Sequence, residues 1–123
     1  MSGLKDGSHL YEVEKRVRYG ERPGFKITEL HISPTQKVPW HTHTKVRDSF
    51  YVIAGSLELF MMDPKENVVL KAGDYYSVVP GRPHLVTNAG STLAQFLVIG
   101  DSQGTGDYDF VPFVLSAGDA ANR

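Results

Sequence analysis

Short runs rich in Val, Ile, Leu, Phe and Tyr, separated by Gly, Pro and Asx residues, set the pattern of this chain. Leu57, Leu59 and Met61 alternate with Ser56, Glu58 and Phe60, and a period of two turns one face of a strand toward a core. No stretch keeps a 3.6-residue period over the length of a long amphipathic helix. The pattern predicts strands over about Phe25 to Ser33, Val38 to His43, Ser49 to Ala54, Ser56 to Met62, Val68 to Lys71, Tyr75 to Val79, His84 to Thr87 and Leu93 to Ile99.

Turn chemistry marks several of the breaks. Asp63-Pro64-Lys65-Glu66-Asn67 and Asn88-Ala89-Gly90-Ser91 both combine residues that favour chain reversal, and each is expected to close a hairpin. Twelve glycines and seven prolines spread along the chain suit many short strands joined by turns. So many strands with little helix predict an all-β sandwich or barrel. Two end segments are candidate extra edge strands: the charged stretch from Tyr11 to Tyr19, and the aromatic stretch from Tyr108 to Leu115, which Pro112 confines to an edge or bulge. Terminal strands of this kind often cover a partner subunit, so a homodimer is expected.

With 123 residues, 41% of them hydrophobic, the chain is about the size of one domain. Thirteen Lys and Arg against fourteen Asp and Glu leave a net charge of -1, which provides no field to attract nucleic acid or an anionic membrane. There is no cysteine, so disulfides and thiolate ligands are excluded and any metal site must use imidazole and oxygen. No apolar run resembles a signal-peptide core or a membrane span, and a cytoplasmic location is the default expectation.

His41 and His43 flank a single residue, and side chains at i and i+2 of a strand share a face. Two imidazoles side by side suit two positions on one metal ion, although such a pair also occurs on exposed strand faces. Asp48 follows five residues after His43, ahead of an apolar strand that ends at Ala54-Gly55. Farther on, Gly73 leads through Pro80, Gly81 and His84 to Asn88.

These two blocks resemble the paired motifs of the cupin superfamily, G-x5-H-x-H-x3,4-E-x6-G and G-x5-P-x-G-x2-H-x3-N. His41, His43 and Gly55 fall in register with the first, and Gly73, Gly81, His84 and Asn88 with the second. The resemblance covers about Ile27 to Ile99. It implies a double-stranded β-helix, or jelly-roll, barrel with a core over about residues 25–100, terminal extensions, and one divalent transition metal (Fe, Mn, Zn or Ni) held by His41, His43, His84 and Asp48. Three positions depart from the motifs. Thr35 stands for the opening glycine, Val79 holds the family proline's place with Pro80 one residue later, and Asp48 replaces glutamate. Aspartate is one methylene shorter, so Asp48 either reaches the ion, binds it through a water, or orients a ligand histidine.

Other residues invite two readings each. Arg47, Arg82, Tyr51, Tyr75, Tyr76 and Gln95 lie near the motifs and are expected to pack or face solvent rather than line a pocket. His31 is balanced between a packed or pocket-lining role and a catalytic one, and Trp40 reads as core or rim. Asn88 is expected to cap a turn, and His9 falls in the N-terminal stretch. Two function classes remain. One is a metal-dependent enzyme on a small oxygenated molecule, with dioxygenase, isomerase or lyase chemistry implied by the resemblance. The other is a non-catalytic barrel that binds a sugar or other small molecule. A regulator's sensor half is disfavoured by the lack of a helix-turn-helix region or basic patch.

Overall fold

The computed structural model describes residues 10–105 and 108–115. Among them ten strands run in chain order: β1 (Lys15–Arg22), β2 (Phe25–Ile32), β3 (Lys37–Thr42), β4 (Arg47–Ala54), β5 (Ser56–Met61), β6 (Glu66–Lys71), β7 (Tyr75–Val78), β8 (His84–Asn88), β9 (Ala94–Asp101) and β10 (Val111–Pro112). They form two five-stranded antiparallel sheets, ordered β1-β2-β9-β4-β7 and β10-β3-β8-β5-β6. From β2 onward the chain passes repeatedly from one sheet to the other. The result is a double-stranded β-helix, the jelly-roll form of an all-β fold. None of the described residues forms a helix long and apolar enough to cross a membrane.

β5 behaves as its alternation predicts: Leu57, Leu59 and Met61 are buried, while Ser56, Glu58 and Phe60 are less so. The turn after β5 closes the β5–β6 hairpin, with Met61 paired to Glu66. The second expected hairpin is not one. β8 pairs with β3 and β5, whereas β9 pairs with β2 and β4, so residues 88–91 carry the chain between sheets. Asn88 anchors that passage, its amide nitrogen donating to the carbonyls of Ile32 and Thr92 while its side-chain oxygen accepts from Gly90 N–H. Both expected edge strands exist in shortened or shifted form, β1 at Lys15–Arg22 and β10 at Val111–Pro112, each outermost in its sheet.

Another passage between sheets, from β4 to β5, turns at Gly55. Its φ is +76°, and a Cβ there would lie 2.6 Å from the carbonyl oxygen of Leu93. Both the backbone conformation and the close approach require glycine.

Pairing register divides the barrel interior into an apolar end and a polar end. Leu30, Phe96 and Val52 lie opposite one another on β2, β9 and β4, and with Ile32, Leu57 and Leu59 they form the closed core. Two residues along each strand, the row becomes Thr28, Val98 and Phe50. Two more, and it becomes Lys26, Gly100 and Asp48. The missing side chain at Gly100 leaves a gap between a buried cation and a buried carboxylate, and the ring of Tyr108 fills it.

Candidate metal centre

The two histidines of the His-x-His pair owe their direction to a bulge. In β3, Val38 pairs with Val86 and His41 with His84, so three steps on one strand face two on its neighbour. The extra residue falls at Pro39-Trp40, where proline's missing N–H costs the ladder nothing. Strict alternation would have turned His41 and His43 away from the face that carries Val38. The bulge restores them to it, and Val38, His41 and His43 are all buried.

His84 arrives from β8 and Asp48 from β4, and the ligand atoms of the four side chains lie within 4.8 Å of one another. All four residues are at most 3% exposed. The Oδ2 atom of Asp48 stands 2.8 Å from His43 Nε2, 3.1 Å from His84 Nε2 and 3.7 Å from His41 Nε2.

The far side of each ring is pinned to a main-chain carbonyl: His41 Nδ1 donates to Pro39 O at 2.7 Å, His84 Nδ1 to Arg82 O at 2.9 Å, and His43 Nδ1 to Asp109 O. A carbonyl only accepts, so each Nδ1 carries a proton, and each ring when neutral presents an Nε2 lone pair to the centre. Three lone pairs and a carboxylate facing one another are mutually unfavourable unless a cation lies among them. A proton on His43 Nε2 is one such cation. A metal ion is another, and Asp48 could hold it with a carboxylate whose Oδ1 is buried with no hydrogen-bond partner among the described residues. The residues therefore fit the divalent ion implied by the resemblance, as a three-nitrogen, one-oxygen set.

Protonation energetics show the same tension. Burial pushes His41 down to about 4. Burial also opposes a charged His43, but the Asp48 carboxylate and the Asp109 backbone outweigh it and hold the His43 pKa above its ordinary value. Burial alone would favour neutral Asp48, yet His43 and the neighbouring imidazoles keep it well below the usual carboxylate range.

His41, His43 and Asp48 lie on the wall of an open cavity with about 510 Å³ of empty space, solvent at its mouth included. Phe110 covers one side, its ring stacked on His41 with centroids 4.1 Å apart. Tyr108 lies 5.5 Å from the His43 ring and also holds the Lys26 ammonium 3.7 Å from its own centroid. Asp109 clamps the segment in place by accepting from Thr44 N–H at 2.8 Å and from the Thr44 hydroxyl. Arg16 and Arg18 line the same cavity from β1, opposite Leu30 and Thr28.

The structure thus brings His41, His43, Asp48 and His84 together, and none of the other residues weighed from sequence joins them. Arg47, Tyr51 and Gln95 alternate with inward residues and face the outside of their sheet. Tyr75 is 59% exposed, and Tyr76 packs against the core edge. Arg82 is spent on Met62 O, Pro64 O and Glu66. His31 is on the outer face of β2, with Nε2 2.5 Å from Glu29 Oε2, and does not line the cavity. Trp40 is half-buried beside Phe113, and His9 lies outside the described residues.

Sequence reasoning missed Arg16, Arg18, Lys26, Tyr108 and Phe110 as cavity residues. Arg16-Val17-Arg18 and Tyr108-Asp109-Phe110 carry the same i, i+2 signal as the histidine pair, but charge on the first reads as solvent exposure.

The model of the cupin domain family matches residues 28–100, more than half of the chain. None of the curated proteins matches. The crystal structure of an uncharacterized conserved protein with a double-stranded beta-helix domain from Klebsiella pneumoniae is 26% identical, with 80% of this chain covering 77% of that one at a TM-score of 0.69. A cupin-2 domain containing protein from Shewanella frigidimarina shares the fold at 19% identity, 76% and 86% coverage and a TM-score of 0.60. An oxalate decarboxylase from Lactobacillus farciminis does so at 17% identity and a TM-score of 0.63, with 73% of this chain spanning only 27% of that enzyme. Matched by the family model over most of its strands and built on the same barrel, this chain belongs to the cupin family.

Proposed function

We propose that this protein is a metal-dependent enzyme acting on a small oxygenated molecule by dioxygenase, isomerase or lyase chemistry. The observation that carries the reading is the convergence of three pinned Nε2 lone pairs and the Asp48 carboxylate on a cavity that opens to the outside. A bound divalent ion, of Fe, Mn, Zn or Ni, supplies Lewis-acid or redox chemistry at such a centre. Asp48 contributes negative charge to the site. Phe50, Phe110 and Val98 give the cavity apolar wall that excludes water from a bound molecule. An oxalate decarboxylase and an oxalate oxidase, by their names enzymes acting on a small oxygenated molecule, share the barrel at 17% and 21% identity.

Metal analysis after reconstitution with each of the four ions tests the centre. About one equivalent is expected, and less than about a tenth of an equivalent of every ion rejects it. Oxygen uptake with the iron form favours dioxygenase chemistry, and turnover without oxygen favours an isomerase or lyase. A loaded protein silent across a substrate panel supports the binding barrel instead. The homodimer expected from the terminal strands belongs to the same proposal, and a monomer in sedimentation velocity rejects it.

A further inference from the structure

Arg16 is oriented by β-sheet register rather than by a loop: it lies opposite Leu30, an inward residue of β2. Arg18, two residues on, is committed within the fold, its Nε donating to Thr28 Oγ1 at 2.8 Å and its Nη1 to Glu21 Oε1 at 2.9 Å. Arg16 differs. Its guanidinium carbon lies 5.1 Å from the centroid of the Tyr11 ring, and its Nη2 is buried with no hydrogen-bond partner among the described residues. Stacking satisfies the face of a guanidinium but not its in-plane N–H groups. Those donors belong to a side chain that is always charged and cannot accept, so what completes them must be an acceptor, best an anion.

The same cavity holds His41, His43 and Asp48. Lys26, only 2% exposed, adds a buried cation to the same wall. Asp48 is the sole carboxylate lining the cavity among the described residues, and the three histidines already surround it. Phe50, Val98 and Phe110 provide apolar wall that suits a carbon skeleton and offers nothing to an inorganic anion.

We propose that the cavity takes a small organic acid, whose carboxylate pairs with the Arg16 fork while its remainder faces the histidine cluster. The planar two-donor fork matches a planar carboxylate. This deepens the function proposed above and rests on it for the role of the cluster, but the pairing at Arg16 is readable with or without a metal.

The test is calorimetric titration of the metal-free and the metal-loaded protein with a panel of two- to six-carbon carboxylic acids and their neutral amides, lactate against lactamide among them. At least one acid should bind at least about tenfold more tightly than its amide. Arg16→Gln should remove that preference without changing metal stoichiometry, and Arg16→Lys, which keeps the charge but not the fork, should fall between. Amides that bind as well as acids, or an Arg16→Gln protein whose affinities stay within about twofold, overturn the inference. So does phosphate binding that outcompetes every acid. Loss of metal stoichiometry in the native protein would instead refute the metal centre, and the metal-free titration would still decide for or against Arg16.

Discussion

Tyr108 occupies the space that a side chain at Gly100 would need: a Cβ there would lie 2.7 Å from the ring and from the phenol oxygen. Gly100→Ala therefore has to expel the ring from the row between Lys26 and Asp48. The expected cost is about 1–3 kcal/mol, the usual range for overpacking. In a Tyr108→Ala background the same substitution should cost much less, and a double-mutant cycle by denaturant unfolding measures the coupling.

Asp48 provides the only formal charge among the four clustered residues when the histidines are neutral. Asp48→Asn keeps the shape and one acceptor but removes that charge. Metal affinity should fall by about 10- to 100-fold while the three imidazoles retain some binding. Competition with a chelator reads the change, and an unaltered affinity would place Asp48 outside the coordination.

The metal-free protein should be most stable near pH 6.5. His41 has a folded pKa lowered from 6.5 to about 4, so below 6.5 the unfolded chain takes up a proton that the folded one refuses, and stability falls by up to ~3 kcal/mol toward pH 4. His43 has a folded pKa raised above 6.5. Its contribution is fully present below 6.5 and is lost as pH rises through the folded value. Thermal melts across pH should show a maximum, with the acid limb flattened in His41→Gln and the alkaline limb flattened in His43→Gln.

Arg82→Ala separates a structural arginine from a functional one. The side chain donates to Met62 O, Pro64 O and Glu66, while it is the Arg82 main-chain carbonyl that accepts from His84. The variant should lose about 1–2 kcal/mol of stability and keep its metal content. A parallel loss of metal would show that the guanidinium, not the backbone, orients His84.

Much of this arrangement was legible from local pattern. The alternation at Leu57, Leu59 and Met61 marked β5, and the register of His84 with Gly73, Gly81 and Asn88 singled it out among five histidines. The phase of β3 was not legible, because alternation counted from Val38 points Trp40 inward and His41 outward. Only the pairing of β3 with β8 reveals the bulge that corrects it. Asn88-Ala89-Gly90-Ser91 has the composition of a hairpin turn because capping an end uses the same residues whether the chain returns to the same sheet or crosses to the other. Which strand accepts β9 is a non-local fact. Arg16 was hidden for a different reason: polarity on an edge strand normally means solvent, and here the inner face itself turns polar.

His43 and Asp109 are 66 residues apart, yet the main-chain carbonyl of Asp109 fixes the imidazole. During synthesis His41, His43, Asp48 and His84 all emerge before the residue that sets the tautomer of one of them. The centre thus reaches its final chemistry only after the C-terminal segment has crossed back over β3. A chain that stops short of Asp109 carries all four side chains but lacks the carbonyl that holds Nδ1 of His43, leaving that ring with Asp48 alone to orient it.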